Sequence, residues 1–346
     1  AHFGIDGYAV DTAAYLRLLS RAIRRPRCGP QSFAARRNAT IHSLEEFELS
    51  DPAVFQLFVN QAAFGAGHPY ARPVFGTIGT LKELNLRAIQ DRQKALLNPA
   101  SSTLLIVGDV HPPSVMSAVR DTFGPWVRRR HVRPRPLRPP RIRRTRRALV
   151  VPRRPAASML VCATRNLTEI SSDHDAGLRV LTQLVGAGLD SRLGTGLRMK
   201  TGLSYGFSAD LLERRHGRAL VACTQVRSGD ADRALQIFRA ELEGFAESTV
   251  TEDELRRAKR QINAQSAVRQ ASGALGVWLE ALALGHERPR PPLDIDRITG
   301  AEIQQLALRV FDPTRLRYLL GGEAKSARRA AKAAGLPGVQ RVKLDL

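Results

Sequence analysis

The sequence predicts an α+β protein built twice on one plan, and three observations predict it. Amphipathic helical segments alternate with short apolar runs bounded by glycine. In the second half, several of those runs follow one another with no crossover helix, which favours α+β over a doubly wound parallel sheet. Finally, Asn98-Pro99, an apolar run, Gly108 and a helical segment are echoed by Asp312-Pro313, an apolar run, Gly322 and a helical segment, with nine residues from proline to glycine each time.

The elements follow in order. Tyr15, Leu18, Leu19, Ala22 and Ile23 recur on one helical face, as do Phe55, Phe58, Val59, Ala62 and Ala63. The second helix has its own start signal in Asp51-Pro52 and ends near Gly65 and Gly67. Thr80-Leu-Lys-Glu83 has capping-box spacing and predicts a helix through Leu97. Thr103 to Val107 reads as a buried strand, and Pro112 to Phe123 as a helix.

Past an Arg/Pro-rich stretch, strands are expected at Ala148 to Val151 and Ser158 to Ala163, and a helix at Asp173 to Val185. Strands follow at Tyr205 to Leu211 and Ala219 to Val226, then helices at Asp230 to Glu247 and Thr251 to about Leu284. Capping boxes open the helices at Thr251-Glu-Asp-Glu254 and at Thr299-Gly-Ala-Glu302, and Leu316 to Leu320 reads as a last strand.

A chain of 346 residues with 43% hydrophobic content can bury a substantial core, which argues against disorder. No run approaches the roughly 18 apolar residues of a spanning helix, so no membrane partner is expected. The first ten residues lack the basic start and apolar stretch of a signal peptide. The three cysteines, Cys28, Cys162 and Cys223, lie far apart with no Cys-x-x-Cys pair and read as free, buried thiols. A formal charge of +22 raises nucleic acid as a partner. The densest cluster, Arg128 to Arg147, is however interleaved with Pro134, Pro136, Pro139 and Pro140, which favours an extended, solvated linker, so no nucleic-acid role is expected.

His68-Pro-Tyr70-Ala-Arg-Pro73 with Gly76-Thr77, then Asn98-Pro99 and Val107-Gly108-Asp109-Val110, closed by Phe123-Gly124-Pro-Trp126, resembles the first domain of M16 (pitrilysin or insulinase-like) zinc peptidases. Leu184-Val-Gly-Ala-Gly188-Leu-Asp-Ser191-Arg192-Leu193, then Leu197-Arg198 and Gly202-Leu203-Ser204-Tyr205, resembles their second domain. The match is colinear over nearly the whole chain. It implies two homologous domains, each an antiparallel-rich sheet of about six strands with helices on one face, closing like a clamshell on a peptide. The corresponding division is residues 1–127, incomplete at its start, a linker at 128–147, and a second domain at 148–346.

In that family, zinc is held by the two histidines of a His-x-x-Glu-His helix and by a later glutamate, and the metal polarises the scissile carbonyl. None of the eight histidines here stands in such a motif; His42-Ser-Leu-Glu45-Glu46 comes nearest and lacks the closing histidine. The resemblance puts Glu46 at the third-ligand position, with the zinc helix lying before residue 1 in any parent protein. The same resemblance gives Arg198 and Tyr205 the role of gripping substrate, a guanidinium and a phenol stabilising charge on the carbonyl oxygen. Gly202 supplies the turn between them.

Other chemistry is weaker. Gly202-Leu-Ser204-Tyr-Gly206 fits the Gly-x-Ser-x-Gly elbow, but an elbow needs a strand before its serine and a helix after it, and here the order is reversed. Gly186-Ala-Gly188 lacks the third glycine of a phosphate loop, and His111 and His174 read as surface or capping residues. The expectation is a non-catalytic bacterial subunit that binds extended peptide, pairs with a zinc-bearing M16 subunit or with itself, and lends it Arg198 and Tyr205. Zn2+ belongs to the family and is not expected on this chain alone. The alternatives are the C-terminal fragment of a complete zinc endopeptidase and a scaffold without peptidase function. Periplasm and cytoplasm both remain open as compartments.

Overall fold

The computed structural model describes residues 2–49, 51–127, 137–140, 147–152, 157–271, 273–286, 288–289 and 291–342. They form two compact units, Ala1–Glu45 with Phe75–Pro136, and Glu46–Val74 with Leu137–Leu346.

The first unit is helical among its described residues. Helix α1 (Thr12–Arg24) lies against α6 (Pro112–Phe123), which has proline in its first turn. Both Ser20 Oγ (2.9 Å) and Arg24 Nη1 (3.0 Å) donate to the carbonyl oxygen of Thr122, satisfying an acceptor that the end of α6 leaves free. Helix α2 spans Pro30–Leu49. The predicted helix from Thr80 to Leu97 is two: α4 (Ile78–Glu83) and α5 (Leu86–Leu96). The capping box belongs to Thr77 and Thr80, and Asn85 caps α5 by accepting from the Ala88 N–H. A second cap outweighs a continuous apolar stripe.

Thr103 to Val107 is no strand in this structure. A strand is defined by a ladder partner, and the described residues of this unit contain no other extended segment that pairs.

The second unit holds a six-stranded sheet in the order β3-β4-β2-β5-β1-β6. Strands β2 (Ser158–Asn166), β3 (Ser204–Arg214) and β4 (Gly217–Arg227) pair antiparallel, as do β2 and β5 (Arg317–Gly322). Strand β1 (Arg147–Pro152) runs parallel to β5 and to the short β6 (Gln340–Arg341). On one face pack α7 (Asp175–Gly186), α8 (Ala231–Glu243), α9 (Glu252–Ala271), α11 (Gly300–Val310) and α12 (Ala324–Ala333), burying Leu178, Leu181, Leu235, Phe238, Leu306 and Tyr318 completely or nearly so.

The opposite face carries α3 (Asp51–Phe64), whose Phe55, Phe58, Val59 and Ala62 meet Val151, Cys162, Val221 and Leu319. Burial on both faces explains why the central strands read as continuous apolar runs rather than alternating ones. Close packing is visible at Gly321, where a Cβ would come within 2.6 Å of the Phe55 ring. Helix α3 ends at Gly65, in the left-handed region at φ +89°.

Two further expectations are corrected. The helix predicted from Thr251 to Leu284 is α9 followed by α10 (Ala274–Leu284), separated at Gly273, whose φ of +128° no helix accommodates. Cys162 and Cys223 are not free thiols but form a disulfide. They face each other across the β2–β4 ladder with Cα atoms 4.1 Å apart, a pairing that only the register reveals. Cys28 is free and half-buried. Much of the linker, 128–136 and 141–146, lies outside the described residues; of residues 137–140, Arg138 and Pro139 are exposed, while Leu137 is half-buried. Pro140 is buried beside Gly217, and the Arg138 carbonyl meets His68 Nε2 at 3.0 Å.

Candidate functional site

Arg198 and Tyr205 are brought together by a short, densely bonded turn. Residues Gly194–Met199 form a π-helical turn, closed by the Lys200 N–H donating to the Thr195 carbonyl at 3.0 Å. Such turns are uncommon and concentrate at functional sites. The Thr201 hydroxyl is 3.0 Å from both the Gly196 and Leu197 carbonyls, and Gly202, at φ +61°, reverses the chain. The Leu203 N–H then returns to the Leu197 carbonyl at 2.9 Å, so the backbone between the two residues is fastened at several points.

Beneath this turn Leu193 and Leu197 are fully buried, while Arg198 is exposed. Two glycines allow the close packing: a Cβ on Gly194 would lie 2.8 Å from the Phe207 ring, and one on Gly196 would lie 2.6 Å from a Glu241 oxygen. Burial pushes the Glu241 carboxyl above its ordinary range, against the opposing pull of Arg192 and Lys200.

Tyr205 owes its position to an irregularity in β3. Ser204 pairs with Val226 and Gly206 with Gln225, so Tyr205 is the extra residue of a β-bulge at the start of an edge strand. Tyr205 is 61% exposed. The bulge is held from below, where the buried Ser204 hydroxyl meets Thr224 Oγ1 at 2.9 Å and donates to the Gly206 carbonyl at 2.8 Å. Arg198 Nη1 lies 3.4 Å from the Tyr205 carbonyl oxygen. The arrangement carries two exposed side chains, a guanidinium and a phenol, on a backbone fastened from beneath, each able to hydrogen-bond a peptide backbone.

The other conspicuous residues are supports. Arg192 lies over the Phe245 ring at 4.6 Å, pairs with Glu254 at 2.9 Å and donates to the Thr249 carbonyl at 3.0 Å. Ser204 follows a helical turn and opens a strand, the reverse of a nucleophile elbow, and its hydroxyl is engaged in the bulge. His111 meets Ser114 Oγ at 3.0 Å, and His174 meets Arg309 at 3.2 Å. The His68-Pro69-Tyr70 motif is a clasp. His68 Nδ1 accepts from the Tyr70 N–H, and Tyr70 Oη accepts from the His216 N–H at 3.0 Å, pinning the chain after α3 to the β3–β4 hairpin.

Glu46 lies exposed on α2, and His42 is 3.9 Å from Glu45. Zinc needs three or more N, O or S ligands on one centre. Among the described residues no group of three or more His, Cys, Asp or Glu is placed to hold a metal ion. The described residues therefore do not fit a zinc centre of their own.

Residues 83–262, which include the π-turn and the bulge, match the family described as the peptidase M16 inactive domain. The chain belongs to that family. Among curated relatives it is similar to an uncharacterized zinc protease of Mycobacterium leprae, 28% identical over 261 residues, covering 72% of this chain and 56% of that protein. It is also similar to one of Streptomyces coelicolor, 27% identical over 236 residues, covering 65% and 50%. The chain thus spans about half the length of the curated relatives it matches.

Solved structures share the M16 inactive-domain fold. The peptidase M16 inactive domain from Pseudomonas fluorescens has a TM-score of 0.72 at 16% identity, covering 90% of this chain and 75% of that one. A protease from Helicobacter pylori has a TM-score of 0.74 at 15% identity, covering 90% and 77%. The periplasmic protease PqqL from Escherichia coli has a TM-score of 0.70 at 12% identity, covering 92% of this chain and 35% of PqqL.

Proposed function

We propose that this M16 chain is the non-catalytic, peptide-binding part of a zinc peptidase, and that Arg198 and Tyr205 grip the substrate backbone beside a metal centre carried elsewhere. The observation that supports the reading is the placement of Arg198 and Tyr205, both exposed, on a π-turn and a bulge whose backbone is hydrogen-bonded and packed from beneath. A surface arginine and tyrosine with no task need neither device. Zinc on the partner would polarise the scissile carbonyl; the pair on this chain orients the peptide and stabilises charge on the carbonyl oxygen. Glu46 keeps the third-ligand position only in company with histidines from outside these residues.

A second reading, that these residues are the latter part of one longer zinc endopeptidase, is favoured by the 56% and 50% coverage of the curated relatives. The two readings share the same chemistry at Arg198 and Tyr205 and differ in where the zinc helix is encoded.

Metal analysis and peptide cleavage, run on the purified chain and on whatever co-purifies with it from its source, test the proposal. The expected result is no retained zinc and no cleavage for the chain alone, with both present in the assembly. Stoichiometric zinc on the dialysed chain would contradict it.

A further inference from the structure

The first unit contains a strongly cationic cavity that the peptidase reading does not use. It lies between α1 and α6, has a volume of about 960 Å³, and is lined by Arg17, Arg21, Arg24, Arg25 and Arg27 opposite Ser117 and Asp121. Arg17 and Arg21 stand four residues apart on one face of α1, an arrangement of like charges that weakens the helix unless something neutralises them, and Arg25 follows as its C-cap. Among the described residues Arg17, Arg21, Arg25 and Arg27 make no ion pair, and Asp121 is the single carboxylate in the lining.

The cavity has a fixed wall. Arg24 is half-buried, with Nη1 on the Thr122 carbonyl at 3.0 Å and Nη2 on the Pro125 carbonyl at 3.3 Å, and Ser20 holds the same Thr122 oxygen. Helix α1 is thereby tied to α6, and Arg17, Arg21, Arg25 and Arg27 line the space beside that fixed wall.

We propose that this cavity binds a polyvalent phosphate anion of the short inorganic polyphosphate class. Guanidinium forks match phosphate oxygens two at a time. Four of them around one space, with Arg24 held on the wall, suit a ligand whose charges sit on adjacent phosphorus centres. An acidic peptide separates its charges by apolar stems, and the lining offers only Ala13 and Ala118 for such contact. The lining holds no aromatic ring on which a nucleobase could stack, so the phosphate chain itself is recognised.

The test is calorimetric titration of the full chain with tripolyphosphate at fixed ionic strength, repeated with an oligoglutamate of equal charge. The proposal expects saturable one-to-one binding of tripolyphosphate, weakened roughly ten-fold or more by the double substitution Arg17→Gln/Arg21→Gln, both exposed positions. Asp121→Asn, which removes the like charge, should tighten binding, a gain that misfolding could not produce. The control pair Arg328→Gln/Lys332→Gln, on α12, should leave it unchanged. Non-saturable binding, equal loss in the control pair, no gain with Asp121→Asn, or equal affinity for oligoglutamate would each overturn the assignment.

Discussion

Arg198 Nη1 lies 3.4 Å from the Tyr205 carbonyl oxygen, so the guanidinium is tied to the backbone of the bulged residue. Movement of the bulge would carry both groups together. The hydroxyls of Thr201 and Ser204 fasten the backbone that carries both residues.

The Cys162–Cys223 bridge closes a loop of 61 residues in sequence and lies under α3. Reduction, or Cys162→Ala with Cys223→Ala, is expected to lower stability by about 2–4 kcal/mol, chiefly by freeing the unfolded chain. Urea unfolding with and without reductant checks this; identical midpoints would show that the bridge is absent in solution.

Phe58 is buried where α3 crosses the sheet, among Val151, Val221 and Leu319. Phe58→Ala should cost about 3–5 kcal/mol through lost burial and the cavity left behind. A cost below about 1 kcal/mol by equilibrium unfolding would mean that α3 is not seated on that face.

Stability should fall on acidification partly through Glu254. Burial raises its carboxyl, but the Thr251 N–H, the Arg192 guanidinium and the Thr251 hydroxyl outweigh burial and hold it below its ordinary range. A depressed folded-state value means the stabilisation is present above the unfolded value and is lost as pH falls through the folded one. Glu254→Gln should therefore be less stable than wild type near neutrality, by about 1 kcal/mol after solvent screening. The difference should shrink as pH falls below the ordinary glutamate range. Melting curves across that range check the sign, and a gap that widens on acidification would contradict it.

Much of the fold was legible because its signals are local. Residues Phe55 to Ala63 show a helical stripe, Thr251 and Thr299 each satisfy a capping box, and β2 and β4 read as apolar runs. What the sequence could not show depends on partners distant along the chain. Thr103 to Val107 has strand composition but no ladder here. Cys162 and Cys223 look like isolated thiols until the register sets them face to face. Similarly, the pattern of surrounding residues singles out Arg198 and Tyr205 as candidates, whereas the π-turn and bulge that carry them have no spacing signal. A bulge is a property of pairing, visible only when both strands are in place.

No helix among the described residues is long and apolar enough to cross a membrane. The most direct test of the account is turnover of an extended peptide by the assembled peptidase carrying Arg198→Ala, with its zinc content measured alongside. The account predicts a fall in kcat/KM of about ten-fold or more, the loss of one contact made to the transition state, with zinc unchanged. Unaltered turnover in an assembly that still contains the substituted chain would contradict it.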